Sequence, residues 1–264
     1  MVPAPPLVAG RLAVETATLQ PMIAVIGRLL AVADQETMAT GTEGTRVGVG
    51  GLAGRIAVAA AADGSRVELI AKLGDDPVGD ATLFALTRAS VGHAAILRDP
   101  SRPTPVIAPE PVAARSADMD DADDEWLDAI EAEAEAEDGD DAARADLELD
   151  ATGLALEPGD LELALRYLTD LSVVVLADPA ASGLVAAAAD GAAFAGAALV
   201  IIGDPEALLA EGAPQNATIL SAPTTDADGI FTTLVAEYAV ALDAGKAPAE
   251  AWAAATRRIG AQRA

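Results

Sequence analysis

The chain has 264 residues, about half of them apolar, with no cysteine and a formal net charge of −26. The lack of thiols excludes disulfides and thiolate metal sites. The charge disfavours nucleic acid or an anionic membrane as a direct partner, since neither counterion release nor a polybasic patch is available.

The pattern along the chain alternates strand and helix as an α/β domain does. Leu7 to Val14 and Met22 to Ile26 read as strands, and an alanine-rich helix follows Gly51 to about Ala62. A strand Val67 to Leu73, a helix from Pro77 to about Ser90, and strands near Ala94 to Leu97 and Pro105 to Ala108 come next. After an acidic interruption, Pro158 opens a helix, and Ser172 to Leu176 is a bare β-branched run suited to a strand buried on both faces. Gly183 to Gly203 is almost wholly apolar, but Asp190 within it would be costly in a bilayer. A helix from about Ala180 and a strand Ala197 to Ile202 fit it better than a membrane span. A strand Ala217 to Leu220, a helix Gly229 to about Leu242 and a last helix Pro248 to about Ile259 complete the order. The amino-terminal M-V-P-A-P-P does not look like a secretory signal, so a cytoplasmic location is the expectation.

The acidity is local. Residues 118–150 hold 17 of the 42 acidic residues and a single arginine, Arg144, and so contribute −16 of the net charge. Runs of this kind are ordinarily solvated, because repulsion and poor hydrophobicity do not offset ordering entropy. Within the run, Trp126, Leu127 and Ile130 form an i, i+1, i+4 apolar edge, suited to a basic-rimmed groove on a partner protein or to folding back on its own domain. Other motifs are weak: Gly48 to Ala53 fits a loose dinucleotide fingerprint, and His93 is the only histidine. No metal site is expected.

Gly50, Gly51 and Gly54, followed by Lys72-Leu-Gly74-Asp75-Asp76-Pro77-Val78-Gly79-Asp80, closely resemble the first signature of the ribokinase-like (PfkB) sugar and nucleoside kinases. The resemblance covers most of the chain outside residues 118–150 and is strongest from Gly50 to Thr104. It implies one domain over 1–264: a three-layer α/β/α sandwich with a mostly parallel central sheet. Lid strands are expected within 15–49 and 94–112, with the acidic insert at 118–150. Family analogy also suggests a homodimer through the lid strands.

Function is a separate matter, because a fold hosts many activities. The family's sugar-gripping aspartate falls on Glu15, its glycine pair on Gly50 and Gly51, and its sugar-contacting asparagine on Arg55. A bidentate amide thereby becomes a donor-only cation. At the phosphoryl-transfer end the family has a G-A-G-D turn whose backbone amides and helix dipole cradle the phosphate, and whose aspartate takes the hydroxyl proton. Aligned on Phe231, that turn becomes Asp226, Ala227, Asp228 and Gly229. The base position is then a glycine, and both anion-hole glycines are aspartates. A carboxylate about 5 Å from a phosphate charge costs roughly 3 kcal/mol at an effective dielectric near 20. Asp226 also reads as a cap of the helix that follows.

The expectation is therefore a catalytically impaired, ribokinase-like binding, regulatory or assembly module with no cofactor. An active ATP- and Mg-dependent sugar or nucleoside kinase, with Asp228 as its base, is the first alternative. An interaction protein working through its acidic insert, on a basic protein partner, is the second.

Overall fold

The computed structural model describes residues 20–33, 47–107, 154–179, 181–224, 226 and 228–262. The expected strand Leu7 to Val14, Glu15, Ala227 and the acidic segment with Trp126, Leu127 and Ile130 lie outside them.

Among the described residues, six strands form one parallel sheet: β1 (Met22–Ile26), β4 (Arg66–Gly74), β5 (Ile96–Asp99), β7 (Leu171–Leu176), β8 (Ala198–Ile202) and β9 (Thr218–Leu220), in the order β5-β4-β1-β7-β8-β9. The described strands thus run from β1 in the middle outward through β4 to β5, then return to β7 on the other side of β1. That reversal is the topological switch point of a doubly wound sheet, and ligands in such folds bind beyond the carboxyl ends of the strands there. Strands β2 (Leu30–Ala33), β3 (Val47–Gly50) and β6 (Val106–Ile107) form a separate sheet in the order β3-β2-β6. In the passage 94–107, Ile96–Asp99 belongs to the edge of the large sheet and only Val106–Ile107 joins the small one.

The helices are α1 (Leu52–Ala62), α2 (Pro77–Arg88), α3 (Pro158–Tyr167), α4 (Leu184–Ala195), α5 (Pro205–Ala210), α6 (Ile230–Asp243) and α7 (Pro248–Gln262). Their starts follow from local chemistry. Proline stands at the first position of α2, α3 and α5, where a missing N–H costs nothing. Asp76 and Asp204 cap α2 and α5, and Glu157 with Asp160 forms a reciprocal capping box on α3. The apolar stretch 183–203 resolves into α4 and β8, separated at Gly196, whose backbone is left-handed. The helix begins at Leu184 rather than Ala180 because Gly183, also left-handed, turns the chain into it. Among the described residues no helix is long and apolar enough to cross a membrane.

Each sheet face has its own core. One is packed by α1, α2, α6 and α7 over Ile23, Val25, Leu69, Leu73, Val173 and Val175. The other is packed by α3, α4 and α5 over Met22, Ala24, Ile26, Ile70, Val174 and Ile201. Small residues bring the layers close: a Cβ on Gly191 of α4 would lie 2.4 Å from Leu165 of α3. Tyr238 of α6 meets Trp252 of α7 edge to face at 5.7 Å. Arg258 of α7 bridges Glu237 of α6 and Asp63, the residue after α1.

Candidate functional site

The carboxyl ends of β1 and β7 flank the switch point, and the residues just beyond them are joined. Arg28, two residues past β1, makes a bidentate pair with Asp178, two residues past β7. Both side chains are mostly buried, and planar two-bond pairing is the strong form of a carboxylate contact. Between Arg28 and β1 sits Gly27, where a Cβ would be 2.9 Å from Ala53 and 3.3 Å from the Cβ of Asp178. The first turn of α1 therefore packs directly against this junction.

Gly50 ends β3 opposite Leu30, and a Cβ there would lie 2.6 Å from a methyl of Val32. Gly51 has φ of +77° and would place a Cβ 2.8 Å from the carbonyl oxygen of Arg28. The glycine pair thus lets β3 and α1 close onto the segment after β1, which is a complete structural reason for both residues. Arg55, exposed on the first turn of α1, donates to the backbone oxygen of Asp226 at 3.4 Å. The structure therefore brings Arg55 and Asp226 together across 171 residues of chain.

The turn before α6 has an arrangement of its own. Gly229 has φ of +65° and stands at the helix start with no side chain to cap it. Asp226 does so instead, from three residues upstream. Its carboxylate accepts from the backbone N–H of Phe231 at 2.8 Å, the N–H of Thr232 at 2.9 Å and the Thr232 hydroxyl at 2.5 Å. Helix amino termini leave such N–H groups unpaired and carry a positive partial charge, so an internal carboxylate settles there as any anion would. The Thr233 hydroxyl closes the turn by donating to the Gly229 oxygen at 2.7 Å. Asp228 is exposed and makes no hydrogen bond or ion pair among the described residues.

The front signature is a second capped turn. Asp76 accepts from Gly79 N–H at 2.7 Å, Thr104 N–H at 2.6 Å and the Thr104 hydroxyl at 2.8 Å. Burial pushes its carboxyl up, but these hydrogen bonds, with help from the Arg98 charge, outweigh burial and hold it below the usual carboxylate range. Arg98 also pairs with Asp75 and Asp80. Gly74 and Gly79 are required by contact: a Cβ would lie 2.4 Å from Thr104 N in the first case and 2.5 Å from Gly74 O in the second. The run Gly74 to Asp80 thereby clamps the segment that carries β6 into the small sheet.

Comparison with solved structures agrees with this architecture. The chain is similar to a PfkB protein from Polaromonas sp. JS666 at a TM-score of 0.57 and 12% identity, over 89% of this chain and 93% of that one. It is similar to aminoimidazole riboside kinase from Salmonella enterica at 0.52 and 13%, over 89% and 90%. The chain has the ribokinase-like (PfkB) fold. No protein-family model matches it, and no curated protein matches its sequence.

Sequence reasoning missed the Arg28–Asp178 pair. The available signal was positional: Gly27-Arg28 and Ala177-Asp178 each follow an apolar run suited to a central parallel strand. Of the other expected site residues, Glu15 and Ala227 are outside the described part. Gly50, Gly51 and Arg55 gather at the α1 start, and Asp226, Asp228 and Gly229 at the α6 start.

Proposed function

We propose that this chain is a ribokinase-like protein whose phosphoryl-transfer turn no longer serves transfer, and that it works as a binding, regulatory or assembly module. The observation that carries this reading is the Asp226 carboxylate seated on the first amides of α6. In this fold a nucleotide's terminal phosphate would be expected at those amides. The residues present do not fit it: the phosphate would have to displace a carboxylate with three hydrogen bonds, or sit about 5 Å from its charge at a cost of roughly 3 kcal/mol. On this reading we also take the small β3-β2-β6 sheet as a lid. Crevice groups Arg28, Arg55 and Asp178 then bind or hold shape rather than catalyse.

One observation favours an active kinase instead: Asp228 is exposed and, among the described residues, makes no hydrogen bond or ion pair, as a base awaiting a hydroxyl would be. Calorimetry with ATP and magnesium separates the two. The proposed function predicts no heat of binding up to millimolar nucleotide and no phosphate transfer to sugars or nucleosides. Micromolar binding with turnover abolished by Asp228→Asn would establish the kinase.

A further inference from the structure

A groove of about 610 Å³ runs between α3 and α4, on the sheet face opposite the one covered by α1 and α6. Ala187 and Gly191 keep its α4 wall low, and the closeness of Leu165 leaves no room for a larger side chain at Gly191. Phe194 stands on the same groove and is 93% exposed. On the neighbouring flank of α3, Leu163 and Tyr167 are exposed as well, so the apolar surface continues across that helix. Large apolar side chains grouped in water beside a groove mark a contact surface.

The charges around the groove indicate what covers it. Glu162 and Arg166 lie one turn apart on α3, and Asp190 faces the same groove from α4. Among the described residues none of the three makes a hydrogen bond or ion pair. A basic partner would oppose Arg166, and an acidic one would oppose Glu162 and Asp190. An uncharged apolar segment would cover all three without a counter-charge, which is costly. A second copy of the groove supplies each missing element: a ring to fill it, carboxylates for its arginine and an arginine for its carboxylates. Such self-complementarity is what a two-fold interface requires, since each contact then occurs twice.

We propose that the α3–α4 face is a homodimer interface. Phe194 of each copy seats in the other's groove, and Arg166 of each faces the partner's Asp190. The net charge of −26 makes two copies repel at long range, but salt screens this beyond about 10 Å and leaves the local match to decide contact. This inference concerns the outer helical layer and is independent of the reading of the α6 turn.

Sedimentation velocity on the full chain across micromolar concentrations, in about 0.15 M salt, tests it. The parent is expected to be a dimer, and Phe194→Ser to weaken association at least tenfold with an unchanged far-ultraviolet circular dichroism spectrum. Arg166→Asp and Asp190→Arg, each alone, place like charges at both contacts and are expected to be monomers. Mixed in equal amounts, those two variants restore one opposite-charge pair at each contact and are expected to form a heterodimer. No contact within a single chain can be rescued by mixing, so this readout separates an interface from a folding defect. A monomeric parent overturns the proposal. So does a dimer indifferent to Phe194→Ser, which would place the contact elsewhere, and so does a failure of the mixed variants to associate.

Discussion

The turns that open α2 and α6 are built alike and behave differently. In each an aspartate accepts from two backbone N–H groups and one threonine hydroxyl: Asp76 from Gly79, Thr104 and the Thr104 side chain, Asp226 from Phe231, Thr232 and the Thr232 side chain. For Asp76 two of the three donors come from a segment 28 residues away, so its carboxylate joins the large sheet to the approach of the small one. For Asp226 all three belong to the helix it caps, so the carboxylate is satisfied locally and fills a place that could take an external anion. The same capping chemistry is a tertiary clamp in one turn and a plug in the other.

Substitutions can break that contrast. The largest effect is expected at Gly74→Ala, whose methyl would meet backbone at 2.4 Å with no flexible side chain to yield. A loss of about 3 kcal/mol is expected by urea denaturation. Asp76→Ala should cost about 2 kcal/mol, a cap plus the abandoned Thr104 donors, against about 1 kcal/mol for Asp226→Ala. Equal losses would show that Asp76 is no more than a helix cap.

The clamp is also pH-dependent. Because the folded Asp76 carboxyl lies below its usual 3.8, its contribution is fully present above that value and is lost as pH falls through the folded one. The stability gap between the parent and Asp76→Asn should therefore narrow below about pH 3.8.

A smaller effect concerns the α6–α7 contact. Burial, and then repulsion from Asp63, raise the Glu237 carboxyl above its usual 4.5 despite Arg258. Its proton is thus held more tightly in the folded state, and stability declines as pH rises from 4.5 through the folded value. Arg258→Ala should destabilise more at pH 7 than at pH 4, as measured by thermal melts at both.

Much of the fold was legible because its signals are local. Asp76-Pro77 announces the start of α2, Pro158 that of α3, and the run at Ser172 a strand buried on both faces, all of which the structure contains. Strands β2 and β3 were placed only within a broad range, because four-residue strands of small side chains carry little periodicity. The helix cap by Asp226 could be read from spacing. The Arg28–Asp178 pair could not, since its members are 150 residues apart and meet only because β1 and β7 are neighbours in the sheet.

The claim on which the reading of function depends is that Asp226 already occupies the anion position of α6. The most direct test follows the amide resonances of Phe231 and Thr232 by NMR during titration with inorganic phosphate, in the parent chain and in Asp226→Ser. Unmoved amides in the parent and saturable shifts in the variant are predicted, whereas saturable shifts of both amides in the parent chain would contradict the account.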